Sequence, residues 1–170
     1  MFTHGWPNLQ VVVAYPLHGR AASSTSAPAA HVAWAINDLV LARRGGSQLV
    51  VEVCVDGELY VRMAGDGIVV ATPVGSSAYS IAAGGSLVAA GTHALVCTPV
   101  AMHGGCAPPL VVADDREVTI EIDPGHGGFD LEVDGFPVQT AAHRFSVRRE
   151  HAYATLVALD ALFSGLSRET

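Results

Sequence analysis

Short apolar runs, either alternating with polar residues or bounded by turn formers, recur about every ten residues along most of this chain. Leu9–Ala14 makes one such run, and Ile36–Ala42 another. Gln48–Val55 alternates well, and Asp56-Gly57 is a strong two-residue hairpin signal into Glu58–Met63. Ile68–Ala71 is continuously apolar, the pattern of a strand covered on both faces. Further strands are predicted at Ala94–Cys97, Leu110–Ala113, Val118–Ile122, Phe129–Val133 and Arg144–Arg148. Strands at this spacing point to a β-sandwich or open barrel rather than alternating βα units.

Two helices interrupt the β pattern. One is expected from about Ser76 to Ala83, stopping at Gly84-Gly85, which suits a C-cap. The other is expected over Leu156–Leu166, where Leu156, Leu159, Leu162, Phe163 and Leu166 fall at helical spacing and read as a packing face. The stretch Ala21–Ala30 is small, polar and low in complexity, a linker signature. Residues 1–33 are therefore read as an N-terminal segment with linker, and residues 34–170 as the main domain.

Composition narrows the partners. The 170 residues carry 9 basic and 16 acidic side chains, a net charge of −7, and no basic cluster larger than Arg43-Arg44 or Arg148-Arg149. Nucleic acid and anionic membrane surfaces are excluded as partners, because neutralising several phosphates requires a positive face. The sequence contains no lysine, which rules out a Schiff-base lysine and a Walker-type phosphate loop. From Gly67 to Ala113 there is no charged residue, yet prolines 73, 99, 108 and 109, together with repeated glycines, break this stretch into pieces too short to span a membrane. Cys54, Cys97 and Cys106 are odd in number and form no C-x-x-C, so they read as reduced thiols of a cytoplasmic protein, and no signal peptide is expected. The eight histidines show no metal-ligand spacing, and no metal site is expected. Asp130, Glu132 and Asp134 alternate along one strand and read as a solvated face.

Candidate chemistry concentrates in Gly65-Asp-Gly-Ile-Val-Val-Ala-Thr-Pro-Val-Gly-Ser-Ser-Ala-Tyr-Ser80. Read physically, this is a turn, a buried strand, a Thr-Pro-x-Gly turn, and a helix start carrying two serines. Exposed N–H groups at a helix start favour a polar or anionic ligand. Ser76 or Ser77 as a simple N-cap and Tyr79 as a packed ring are the alternative reading.

The segment resembles the signature of the NAD-kinase family, D-G-(apolar)₄-T-P-T-G-S-T-A-Y-S, almost continuously from Asp66 to Gly85. Ala35–Leu41, Cys97–His103, Pro109–Val112, Asp134-Gly135 and Phe145–Arg149 resemble further family segments in the same order. The resemblance, over about residues 33–166, is to the family's C-terminal dinucleotide-binding domain. It implies a mainly β domain that takes NAD or NADP. Asn37 and Asp38 would meet the adenosine ribose, Ser77, Ala78 and Tyr79 the adenine, and Asp66 the nicotinamide end, commonly across a subunit interface. Thr72, Gly75, Ser76, Ala101 and His103 complete the implied site. A homodimer or homotetramer is implied as well.

The departures concern catalysis. The family's reaction is ATP-dependent 2′-phosphorylation of NAD, and it relies on a Gly-Gly-Asp-Gly loop that these 170 residues lack. Ala64-Gly65-Asp66-Gly67 leads into a strand and belongs to the second motif, and residues 1–33, with Val11–Pro16, read as at most a vestige of the missing α/β domain. Val74 and Ser77 replace the usual threonines, Ala82 a frequent serine, and Pro108 stands where an arginine would precede Pro-Leu-Val. No catalytic residue is therefore assigned, and ATP and Mg²⁺ enter only if a catalytic domain is supplied. A non-catalytic NAD(P)-binding or regulatory module and an oligomerisation scaffold are the alternatives.

Overall fold

A computed structural model describes residues 5–14, 31–103 and 107–155. Twelve strands and one short helix follow in order: β1 (Gly5–Ala14), β2 (His31–Ala35), β3 (Asp38–Arg44), β4 (Leu49–Val55), β5 (Glu58–Gly65), β6 (Gly67–Ala71), α1 (Tyr79–Ala82), β7 (Ala94–Val100), β8 (Leu110–Ala113), β9 (Val118–Asp123), β10 (Gly128–Val133), β11 (Phe136–Val138) and β12 (Arg144–Thr155). They form two six-stranded sheets, ordered β2-β1-β12-β9-β4-β5 and β11-β10-β3-β6-β7-β8. Every pairing between these neighbouring strands is antiparallel. The mainly β expectation therefore holds.

Period-two alternation explains the packing. Leu49, Val51 and Val53 of β4, Ile120 and Ile122 of β9, and Phe145 and Val147 of β12 turn inward from the first sheet. They meet Leu39 and Leu41 of β3, Ile68 and Val70 of β6, Leu95 and Cys97 of β7, and Leu131 and Val133 of β10. Burying each such side chain contributes about 1.5–3 kcal/mol. The opposite parity of the second sheet, Val40, Val69, Ala71 and Val96, packs under Ala83 and Val88 of the segment after β6. That second layer is why all five residues of β6 are buried, as its unbroken apolar run implied. Burial drives the Cys97 thiol up to about 12 and leaves it unreactive.

Three local expectations change. Ile36 and Asn37 form a bend, so β3 starts only at Asp38. The bend lies where the chain passes from the first sheet to the second. The helix predicted from Ser76 to Ala83 is a 3₁₀ turn over Gly75–Ser77 followed by the single turn α1, broken at Ala78 with φ −98° and ψ −119°. Neither Ser76 nor Ser77 caps it; their hydroxyls donate backward to the Pro73 and Val74 carbonyls. Gly84, at φ +88°, does end it. Strands β2 and β11 were not anticipated; β11 contains Pro137 and lies at a sheet edge, where a missing N–H is tolerated. The helix expected over Leu156–Leu166 and the linker over Ala21–Ala30 lie outside the described residues. β1, within the residues read as N-terminal segment and linker, pairs with both β2 and β12.

Candidate functional site

Register sets the site. Asp38 opens β3 opposite Ala71, the last residue of β6, so the Thr72–Tyr79 loop leaves the sheet beside the Ile36-Asn37 bend. Thr72 joins the two: its N–H donates to the Asn37 carbonyl (2.8 Å), and its Oγ1 donates to the Ile36 carbonyl (2.6 Å). The same Oγ1 accepts the Gly75 N–H at 3.1 Å. Gly75 must be glycine, because a Cβ there would land on the Asn37 backbone. Ser76 is fully buried, and its hydroxyl also accepts the Val88 N–H at 3.0 Å, pinning the far side of the loop.

Asp38 is 4% exposed, and its carboxylate accepts the Tyr79 backbone N–H. Burial pushes the Asp38 carboxyl above its ordinary range, the charges of Asp134 and Glu132 add to the rise, and the Tyr79 N–H opposes it. Tyr79 presents its ring to solvent, and Ser77 and Ala78 are exposed beside it. Asn37, Asp38, Thr72, Gly75, Ser76, Ser77, Ala78 and Tyr79 are thus brought together at one end of the second sheet.

Asp66, Ala101 and His103 are not part of that group. Ala42, Gly67 and Val100 are in register at the other end of the same strands, roughly 14 Å away at about 3.4 Å per residue. There the Asp66 carboxylate accepts from Arg43 Nε at 2.6 Å and approaches His103 Nε2 at 3.4 Å. The Arg43 guanidinium holds Asp66 below the usual carboxylate range, with His103 assisting. Ala101 sits at φ +42°, turning the chain so that the His103 N–H reaches the Ala64 carbonyl at 2.9 Å.

Sequence reasoning passed over two members of this architecture. Arg43 faces Asp66 only because of the β3–β6 register, which no local pattern displays. Asp134, read as a solvated carboxylate, accepts the N–H groups of Ile36, Asn37 and Asp38 at 2.8, 2.7 and 3.1 Å. The Asp134-Gly135 turn was the available signal, since both residues take positive φ (51° and 77°). A groove of about 420 Å³ elsewhere, lined by Glu52, Arg62, Glu121, His143 and Arg144, contains none of the predicted residues.

The Asp38 environment gives a signed expectation for stability. A carboxyl whose folded value is raised makes the native state bind more protons between the ordinary carboxylate range and that raised value. Stability contributed by this group is therefore lost as pH rises through the window. Asp38→Asn should raise the melting temperature at neutral pH and leave it little changed below the carboxylate range. Calorimetric melts from pH 3 to 8 check this; a lower melting temperature at pH 7 would contradict it.

Fold and site together define a two-sheet antiparallel β domain with a loop-built cluster of carboxylate, amide, hydroxyl and aromatic groups at one sheet end. Comparison with known proteins places it further. The model of the ATP-NAD kinase C-terminal domain matches residues 36–152, and the chain belongs to that family. It is 44% identical over 102 residues to an NAD kinase of Thermomicrobium roseum, which covers 54% of this chain and 35% of the relative. An NAD kinase of Chlorobium chlorochromatii is 35% identical over 125 residues, covering 71% of this chain and 44% of the relative. The chain thus spans less than half the length of these relatives. Yeast NADH kinase, solved in complex with NADH, superposes with a TM-score of 0.74 at 25% identity over 89% of this chain and 42% of its own. An Archaeoglobus fulgidus NAD kinase, solved with ATP, shares the fold with a TM-score of 0.72 at 20% identity, covering 96% of this chain and 58% of its own.

Proposed function

We propose that this chain binds NAD or NADP and supplies the dinucleotide-binding half of an NAD-kinase-type phosphotransferase. The observation that carries the reading is the closure of the Thr72–Tyr79 loop on the Asn37–Asp38 bend through Thr72 and Gly75. It sets a carboxylate and an amide, suited to vicinal ribose hydroxyls, beside an exposed aromatic ring suited to a base. Asn37 and Asp38 receive the adenosine ribose, and Ser77, Ala78 and Tyr79 the adenine. Asp66, Ala101 and His103 lie a strand's length away, which favours their serving the nicotinamide end of a ligand held by a neighbouring subunit.

The groups present do not suit Mg²⁺-ATP. There is no lysine or Gly-Gly-Asp-Gly loop in the sequence. Among the described residues no group of three or more His, Cys, Asp or Glu side chains could hold a metal ion. We therefore assign ATP and Mg²⁺ to a catalytic domain outside these residues, and the chain by itself to binding. Unpaired Cys54 and Cys97 accord with a cytoplasmic setting.

NAD or NADP at millimolar concentration should raise the melting temperature, with ATP having little effect. Tyr79→Ala should weaken NAD binding about 10-fold or more, since stacking a base on an aromatic ring is worth about 1–3 kcal/mol. Asn37→Ala should weaken it as well. No dinucleotide-dependent shift would favour the scaffold reading. We also propose a homodimer or homotetramer, on the exposure of Ile81, Leu87 and Phe136. Light scattering at tens of micromolar should then show at least twice the monomer mass, and a clean monomer would count against it.

A further inference from the structure

The dinucleotide reading leaves Asp134 without a role, yet its carboxylate takes three backbone N–H groups beside the site. It lies in the turn between β10 and β11 at φ +51°. Its Oδ2 accepts the Ile36 N–H, and its Oδ1 accepts those of Asn37 and Asp38. Its own N–H donates to the Asp38 carbonyl at 2.9 Å. Four hydrogen bonds from one residue therefore define the bend that aims Asn37 and Asp38, and they come from a segment nearly a hundred residues away. A solvated surface carboxylate would make no such set. We propose that Asp134 is a positioning residue of this site, fixing where Asn37 and Asp38 present their side chains toward a ligand.

The argument has a geometric and an electrostatic part. Three backbone donors converging on one carboxylate are charge-assisted bonds, stronger than neutral ones, and they hold the bend against the pull of the two sheets. The groups acting on the Asp38 carboxyl are Asp134 and Glu132 from the β10 side and the Tyr79 N–H from α1. Asp134 stands nearest in effect among the charges, so the ionisation of Asp38 depends on it. An ionised Asp38 accepts hydrogen bonds from two hydroxyls; a protonated one must offer a donor instead. The proposal rests on the dinucleotide reading only for the identity of the ligand.

The test separates the two. In ¹⁵N-labelled chain, the Tyr79 amide proton reports Asp38, because it donates to that carboxylate. Asp134→Asn keeps the size of the side chain and tolerates positive φ, but removes the charge. The Tyr79 amide midpoint should then move to lower pH, and NAD affinity measured by calorimetry at pH 7.5 should fall at least 10-fold. An amide cannot accept at both atoms, so the bend that aims Asn37 and Asp38 loosens, although the charge change alone leaves Asp38 more fully ionised. A merely structural Asp134 would lower the melting temperature while leaving that midpoint in place, which would overturn the proposal. So would unchanged NAD affinity in a variant of a chain that binds NAD. Should Asp134→Asn not fold, the wild-type chain decides: the Ile36, Asn37 and Asp38 amides should be protected from hydrogen exchange, as donors bonded to one carboxylate, and exchange as fast as in an open loop would refute the assignment. If wild-type chain binds no NAD, the dinucleotide reading falls, and the amide titrations still decide whether Asp134 governs Asp38.

Discussion

Given NAD, Mg²⁺ and either ATP or polyphosphate, the purified 170-residue chain should form no NADP above background. The expectation comes from what phosphoryl transfer to a ribose hydroxyl demands. That hydroxyl is a poor nucleophile at neutral pH and needs a positioned base. The transferred group needs donors and a metal that hold it in line with the hydroxyl while charge redistributes. The chain offers Asp38 as a buried carboxylate at the site end of β3. It offers no lysine and no glycine-rich phosphate loop to place ATP against that hydroxyl. Losing positioning and charge stabilisation together should cost on the order of 10⁶-fold or more, by effective-molarity reasoning. A coupled NADP assay measures it. Turnover of about one per second, within the ordinary enzyme range, would overturn the assignment; its loss in Asp38→Asn would then make Asp38 the base.

Gly75→Ala should abolish dinucleotide binding and lower the melting temperature by roughly 6–12 °C. The added Cβ would coincide with the Asn37 carbonyl, and its nearest neighbours are all backbone atoms of Asn37. Backbone cannot rotate away as a side-chain tip can, so either the Thr72–Tyr79 loop or the Ile36-Asn37 bend must shift. Overpacking of this kind costs about 1–3 kcal/mol, and about 3 is expected here because no flexible atom can yield. At about 2–4 °C per kcal/mol for a chain of this size, the melting shift follows. Moving the loop also parts Thr72 from the Ile36 carbonyl and Tyr79 from Asp38. Gly46→Ala is the control, since its Cβ would enter open space; it should leave melting and binding unchanged. Retained binding in Gly75→Ala would show that the loop need not sit against Asn37.

The alternation of Leu49–Val55, the Asp56-Gly57 turn and the unbroken apolar run of β6 follow from local rules, and they appear in the structure where those rules put them. Period-two side-chain placement and positive-φ turn chemistry act over a few residues, so the sequence alone determined most strands and the mainly β class. The motif from Asp66 to Gly85 likewise determined the family, because residue identities in unbroken order need no third dimension to be read.

Tertiary structure decided the rest. The Ser76–Ala83 helix was cut short at Ala78, within a loop that Thr72 and Gly75 tie to the Ile36-Asn37 bend ahead of β3. The apparent start of β3 moved because Asp134, from the far end of the chain, takes the amides of Ile36, Asn37 and Asp38. The eleven predicted residues separated into two groups because the antiparallel register places Asp38 by Ala71 and Ala42 by Gly67, at opposite ends of the same strands. Each of these outcomes depends on a partner distant in sequence. Local propensity prices only what a residue does among its neighbours, and sheet register determines which distant hydrogen-bonding group outbids them.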